Sequence, residues 1–385
     1  MAATVKIVSV FGTRPEAIKM APVLLELARR KGVESRLVVT AQHREMLDSV
    51  LSRFGLTPDL DLDIMKRGQS LEHITTAALE GLTRYFEAQK PDAILVHGDT
   101  TTTFTAALAG FYLGIPVGHI EAGLRTGNRF LPFPEEMNRR LADELCSIFL
   151  APTNRARCNL EERGISPSDI FVTGNTVVDA LAMLPDNEMQ FENEAIAGFL
   201  SRPDFKILFT MHRRESWGEP MRDVFAAICS YLYSNPEISL VYPVHPNPQV
   251  YDAANEILGS CPSVTLIPPL EYFDFLRLMR KCDLVLSDSG GVQEEAPSFG
   301  KYVIVMRDAT ERPEVVGAGF AEVCGTDPAR ISSALASAIP QIKSGLIPPK
   351  GKSNPIGDGK AAKRTVDFLL FKLCGSPFPE GEFPG

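Results

Sequence analysis

DAILVHGDTTTTFTAALAGFY, residues 92–112, decides how the chain is read. Ala93 to Val96 are apolar without alternation, the pattern of a strand covered on both faces rather than one with a wet side. Gly98, Asp99 and four successive threonines follow, and then an Ala/Leu-rich stretch of helical length. Strand, polar turn and helix form the unit from which parallel sheets are built. Asp99 and the threonines are also what a helix N-terminus selects, because their oxygens accept the unpaired N–H groups of the first turn. For this stretch in isolation the cap reading of Asp99 prevails over that of a reactive acid.

Outward from it the same grammar recurs. VKIVSVFG, SRLVVTA, IPVGHIEA, SIFLAPT and DIFVTG are strand-length apolar runs, each followed by a helix-like segment. The pattern restarts at KILFTMH and continues through SLVYPVH, SVTLIPP, DLVLSDSGG and YVIVMRD, and no short-period repeat is evident. This predicts an α/β protein of two Rossmann-like, doubly wound parallel-sheet domains. The domains are expected at 1–175 and 176–360, the junction lying near GNTVVDALAMLPDNE, where the signals give way to a polar stretch from Pro185 to Glu194. A C-terminal helix over 361–374 is expected to pack back on the first domain, and the Pro/Gly-rich 375–385 to fray as a flexible tail. Ligands of open parallel sheets bind outside the carboxyl ends of the strands, so two such halves predict an interdomain cleft lined by the segments that leave each strand.

With 385 residues, 44% of them hydrophobic and 23% charged, the chain has room for two cores. The N-terminal MAATVKIVSVFG lacks the features of a secretory signal, and no apolar run approaches the ~18 residues of a membrane span, so a cytoplasmic protein without membrane partners is expected. Seven cysteines without CxxC or Cys/His spacing argue against a disulfide framework and a zinc site. A formal charge of −9 disfavours nucleic acid as a partner but permits an acidic small molecule held by locally gathered cations.

Such gatherings stand at strand ends. In FGTRPEAIKMAPV, Gly12 permits a turn, Pro15 suits the first helical turn, and Arg14 and Lys19 bring cations to a helix start already favourable to anions. In SDSGGVQEEAPSFG, Ser289, Gly290 and Gly291 follow a strand and open a helix, so bare amides can approach a diphosphate. Glu294 and Glu295, one turn on, either complement the helix dipole or chelate ribose hydroxyls. His212, Arg213 and Arg214 leave another strand, and Arg307 and Arg312 follow the last one. The acids gather in the first half: Asp99, Glu121 after PVGHI, and Glu135 and Glu136 beside Arg139 in LPFPEEMNRR. Diphosphate-binding residues mainly in the second half and titratable carboxylates in the first suit an activated sugar.

At this point the motifs coincide with a known set. FGTRPEAIKMAPV, TAQHREMLD, VHGDTTTTF, GHIEAGLRTGN, PFPEEMNRR, GNTVVDAL, HRRES, VYPVHPNP, SDSGGVQEEAPSFGK and MRDATERPE together resemble the non-hydrolysing bacterial UDP-N-acetylglucosamine 2-epimerases, in order from Val8 to the NPIGDGKAA stretch. The resemblance implies a GT-B-like fold and a homodimer that interconverts UDP-N-acetylglucosamine and UDP-N-acetylmannosamine for surface polysaccharide synthesis, with no metal or redox cofactor. It implies expulsion of UDP from C1 as the C2 proton is removed, a 2-acetamidoglucal intermediate, and re-addition on the other face. By motif, Asp99, Glu121 and Glu135 are then the acid/base group, and the threonines cap the helix. Arg14, Lys19, His212 and Arg312 hold or balance UDP, with His212 at the reacting centre and Arg139 a further substrate-binding residue. Ser289, Gly290 and Gly291 bind phosphate, Glu295 the ribose, and Phe275 stacks on uracil. Gln42, His43, Arg67 and His245 match residues that hold a second, activating UDP-N-acetylglucosamine in some relatives. Met211, where smaller residues are common, and Ile356, where an aromatic is expected, depart from the pattern. A GT-B glycosyltransferase, a nucleotide-sugar sensor and a hydrolysing epimerase are the rival readings, because fold alone does not separate them.

Overall fold

Val5–Phe11 (β1) runs parallel to both of its neighbours, Val33–Val39 (β2) and Ala93–His97 (β4), with Val8 opposite Arg36 on one side and Ile94 on the other. The computed structural model describes residues 4–41, 44–66, 68–184, 191, 193–213, 217–379 and 381–384, with 44–46 as backbone only. It divides into two units, residues 1–183 with 356–385, and residues 184–355.

The first unit adds Leu60–Asp61 (β3), Val117–Ile120 (β5), Ile148–Ala151 (β6) and Ile170–Val172 (β7) to a seven-stranded sheet of order β3-β2-β1-β4-β5-β6-β7. Its helices are Arg14–Arg29 (α1), Arg44–Phe54 (α2), Leu71–Gln89 (α3), Thr101–Tyr112 (α4), Glu135–Leu145 (α5), Asn154–Glu161 (α6), Thr176–Ala182 (α7) and, from the far end of the chain, Ala361–Cys374 (α15). The strands that read as unbroken apolar runs are the central ones: every residue of β4, β5 and β6 is buried. The two-residue β3 has no such run, because an edge strand with one neighbour needs none.

The second unit repeats the winding. Phe205–Thr210 (β8), Ile238–Pro243 (β9), Val264–Ile267 (β10), Leu284–Ser287 (β11), Tyr302–Val305 (β12) and Ala321–Val323 (β13) form a parallel sheet of order β10-β9-β8-β11-β12-β13. Its helices are Glu194–Ser201 (α8), Glu219–Ser234 (α9), Pro248–Ile257 (α10), Tyr272–Lys281 (α11), Gly290–Glu295 (α12), Pro313–Gly317 (α13) and Pro328–Lys343 (α14). Phe209, Phe225 and Tyr242 form the aromatic centre of its core.

In each sheet the winding direction reverses once, between β1 and β4 and between β8 and β11. The segments leaving those strands diverge and open a crevice at the carboxyl edge, the usual ligand position of such sheets.

Described residues of the C-terminal segment pack on the first unit. Phe383 is buried with Ala122, Phe149 and Val172; its N–H donates to Val172 O (2.8 Å), and Glu382 accepts from Val172 N (3.0 Å) and Arg157 Nη1 (2.5 Å). Phe378 meets the stacked rings of Phe171 and Phe368 edge-on. Composition suggests a loose tail, but these anchors outweigh its prolines and glycines. All seven cysteines are free, and no helix among the described residues is long and apolar enough to cross a membrane.

Candidate active site

At the crevice of the first sheet, the turn after β1 and the turn after β4 are joined by one buried carboxylate. Glu16, at the third position of α1, accepts from Gly12 N (3.1 Å), Thr13 N (2.9 Å) and Thr13 Oγ1 (2.8 Å), and across the crevice from Thr100 Oγ1 (2.7 Å) and Thr103 Oγ1 (3.2 Å). Burial pushes its pKa above the usual range, and these donors recover only part of the loss. Gly12 is required sterically: a Cβ there would overlap Thr40 Oγ1 and lie 2.5 Å from Thr102 Oγ1.

Thr100 is the N-cap of α4, its hydroxyl accepting from Thr103 N, so Asp99 is not the cap. The Asp99 carboxylate is instead ion-paired with Arg139, and its carbonyl accepts from Asn138 Nδ2 (3.0 Å). Both partners come from α5. Glu135, half-buried at the start of that helix, stands one turn before Arg139 on the same face.

Glu121, just past β5, takes the left-handed conformation at φ +65°, rare for a residue with a side chain and costing about 1–3 kcal/mol. Its Oε2 accepts from Lys19 Nζ (2.5 Å) and Asn175 Nδ2 (2.9 Å) and lies 3.8 Å from His97 Nε2. The carboxylate and the lysine are nearly inaccessible to water, and each supplies the other's countercharge. Burial drives His97 down to about 4, against the pull of Glu121, so its ring is neutral at physiological pH. Neither ring nitrogen of His97 has a hydrogen-bond partner among the described residues. Arg14 is half-buried at the start of α1, as expected, whereas Lys19, assigned above to the nucleotide, serves Glu121.

The second crevice is built on Asp288, fully buried at the end of β11. Its Oδ2 accepts from His212 N (2.9 Å) and Arg213 N (2.8 Å), its Oδ1 is 3.1 Å from His212 Nδ1, and its carbonyl accepts from Arg213 Nε (3.0 Å). Burial pushes Asp288 up, but the His212 ring and the two amides overcome it, and the carboxyl lies below its ordinary range. His212 remains partly exposed, and His245 lies parallel to it with ring centroids 6.0 Å apart. Burial and the neighbouring His212 hold His245 below its ordinary value. Ser289 caps α12, followed by Gly290 and Gly291; a Cβ at Gly290 would stand 3.7 Å from Arg213 Nη2. His212, Arg213 and the glycine turn are thus brought together by the adjacency of β8 and β11.

Beyond them, Glu295 accepts from Tyr272 Oη (2.8 Å), and Phe275 lies half-buried on the same α11. Arg312 does not stand open to an anion: its guanidinium is ion-paired with Glu294, both buried. A buried carboxylate one turn into α12 needs such a countercharge. Gln42, His43, Arg67 and Arg214 lie outside the described residues. Met211 is buried, its carbonyl accepting from Tyr242 Oη (2.7 Å), and Ile356 is buried, its carbonyl accepting from Asn175 N (2.7 Å).

Sequence reading overlooked Glu16, His97, His119, Asp143, Asn175 and Asp288. Asn175 and Asp288 had a signal, a polar residue directly after an apolar run. His97 and His119 lie inside strands, where nothing local distinguishes a functional histidine from a structural one.

Chemically, the first unit holds carboxylates with matched cations, suited to moving a proton, and the second holds cations and amides suited to an anion. Residues 25–370 match the family model described as UDP-N-acetylglucosamine 2-epimerase. The chain is 48% identical over 373 residues to the UDP-N-acetylglucosamine 2-epimerase of Bacillus subtilis, with 95% of each chain covered. It superposes on the crystal structure of UDP-GlcNAc 2-epimerase from Neisseria meningitidis bound to UDP-GlcNAc with a TM-score of 0.87 and 46% identity, covering 95% of this chain and 99% of the other. A glycotransferase of kitacinnamycin, 13% identical with a TM-score of 0.62 over 97% and 99% of the chains, shares the GT-B-like fold alone.

Proposed function

The chain belongs to the UDP-N-acetylglucosamine 2-epimerase family, and from that premise we propose that it inverts C2 of UDP-N-acetylglucosamine to give UDP-N-acetylmannosamine, reversibly and without hydrolysis. C2 neighbours an acetal carbon, so removing its proton alone would leave an unstabilised carbanion. Breaking the C1–O bond as the C2–H bond breaks avoids this: the electron pair of C–H becomes the C1–C2 double bond, and that of C1–O leaves with UDP. The glycal and UDP remain bound, a proton returns to the opposite face of C2, and C1–O re-forms. The scheme is redox-neutral.

His212, Arg213 and the amides of Ser289, Gly290 and Gly291 receive the diphosphate and stabilise its departure, with Arg14 as a further cation. Glu295, oriented by Tyr272, takes the ribose hydroxyls, and Phe275 the uracil. Asp99, Glu121 and Glu135 take and return the proton. The single observation that carries the reading is Glu121, a strained and buried carboxylate with Lys19 as its countercharge and Asn175 as a hydrogen-bond donor. Strand-end acids of this kind also weigh against a transferase, which needs the UDP clamp but no proton shuttle at C2.

A homodimer is proposed with it; the exposed Phe111 and Tyr112 at the end of α4 offer an apolar surface for a second copy. An activating second UDP-N-acetylglucosamine near His245 would appear as sigmoidal kinetics and more than one nucleotide-sugar bound per chain.

The test is incubation with UDP-N-acetylglucosamine alone in heavy water, followed by NMR. The expected product is UDP-N-acetylmannosamine carrying deuterium at C2, with Asp99→Asn and Glu121→Gln binding UDP but exchanging about 100-fold more slowly. Turnover without label refutes proton abstraction. Free N-acetylmannosamine with UDP as main products points to hydrolysis, and UDP release only with an acceptor points to transfer.

A further inference from the structure

His119, on β5 two residues before Glu121, is fully buried, and both of its ring nitrogens face groups that accept hydrogen bonds. Nδ1 is 2.7 Å from Asp143 Oδ1 and Nε2 is 2.7 Å from the carbonyl oxygen of Gly98. A carbonyl oxygen cannot donate, so Nε2 carries a proton. Asp143 could donate to Nδ1 only as a neutral acid, but its other oxygen accepts from Arg125 Nη2 (2.5 Å). Burial pushes the Asp143 carboxyl up, yet His119 and Arg125 together bring it below its ordinary range. One proton lies between Nδ1 and Asp143 Oδ1.

The far end of this chain of bonds is the turn that presents Asp99. Gly98 is in the left-handed region at φ +68°, and three successive acceptors of residues 98–99 are gripped: the Gly98 carbonyl by His119, the Asp99 carbonyl by Asn138 and the Asp99 carboxylate by Arg139. Asn138 and Arg139 are on α5, and His119 is itself held by Asp143 of α5. We propose that His119 acts as a positioning residue, its Nε2–H holding the Gly98 carbonyl so that the Asp99 carboxylate is fixed for proton transfer, with Asp143 of α5 orienting the ring. The inference rests on the assignment of Asp99 to the acid/base group.

Two substitutions separate the two bonds. In His119→Asn the amide nitrogen stands near the former Nδ1, keeping Asp143 and giving up Gly98. In His119→Gln it reaches the former Nε2, keeping Gly98 and giving up Asp143. The expected result is a kcat lowered about 100-fold in His119→Asn, with KM within about threefold of wild type, and recovery to within about tenfold of wild type in His119→Gln at similar thermal stability. In parallel, NMR of wild-type protein labelled with ¹⁵N-histidine should show a directly bonded proton on Nε2 of His119.

Equal kcat in the two variants would reduce His119 to a packing residue, and the lack of a proton on Nε2 would remove the bond to Gly98; either overturns the proposal. The spectrum needs no variant to fold. Asp99→Asn is run alongside: if it exchanges at the wild-type rate, the assignment of Asp99 fails and the positioning role with it, whereas the protonation result stands on its own. If Asp99→Asn is inactive and His119→Asn is not slowed, the positioning claim alone fails.

Discussion

Replacing Asp179 with asparagine should make the first unit less sensitive to pH, in a direction and by an amount that the structure sets. Asp179 lies on α7, 5% exposed, and accepts from the first two amides of α15, Ala362 N at 2.9 Å and Ala361 N at 3.1 Å. It caps a helix from a different part of the chain, because Lys360, at the N-cap position, offers no side-chain acceptor. Burial outweighs these two bonds and raises its pKa from 3.8 to about 6. A carboxyl raised on folding contributes stability that is fully present below its unfolded value and is lost as pH rises through the folded one. The contribution thus disappears between 3.8 and about 6, and the difference amounts to roughly 3 kcal/mol at ~1.36 kcal/mol per pH unit. The substituted asparagine does not titrate. The stability of wild type relative to Asp179→Asn should fall by that amount across the window and stay level above it. Asp358, the nearby carboxylate paired with Arg364, titrates in both proteins and largely cancels in the difference. Urea unfolding followed by far-UV circular dichroism measures it; fluorescence does not, since the one tryptophan, Trp217, is in the second unit. Hydrogen exchange at the Ala361 and Ala362 amides reports the cap itself. Unfolding free energies of the two proteins that run parallel from pH 4 to 7 would refute the reasoning.

Phe383→Ala should destabilise the first unit by about 3–4 kcal/mol, since the ring is buried against Ala122 and Phe149; an unchanged urea midpoint would mean that the C-terminal segment is not anchored in solution. Gly12→Ala, whose Cβ would overlap Thr40 and Thr102, should lower stability by about 1–3 kcal/mol in thermal melts, and combining it with Thr102→Ser should recover little, because Thr40 Oγ1 and the hydroxyl of the introduced serine remain in the way. Tyr272→Phe removes the hydroxyl that donates to Glu295 and should weaken UDP binding about fivefold in calorimetry with kcat for epimerisation unchanged; a loss confined to kcat would take Glu295 away from the ribose.

The parallel α/β order and the two windings were both legible in the sequence. Each is written by neighbours along the chain: unbroken apolar runs, helical periodicity, and threonines that satisfy the amides three residues on. Thr100 capping α4 is such a local fact, and so is the bare glycine turn after β11. The short edge strands β3 and β13 left no comparable mark, since a strand with one neighbour is not required to be apolar.

What only the tertiary structure decided is which charge answers which. Lys19 and Glu121 are 102 residues apart, and Asp288 meets backbone amides 76 and 75 residues before it. Such pairs follow from β1, β4 and β5 lying side by side and from β8 lying beside β11, an order that a pattern of apolar runs does not contain. The adjacency of β4 and β5 likewise gave His119 to the turn before Asp99, and that of β11 and β12 gave Arg312 to Glu294. Hydrophobic periodicity is a property of each segment by itself, whereas the partner of a buried charge depends on where two distant segments come to rest, and the cost of burying that charge alone is what selects the partner.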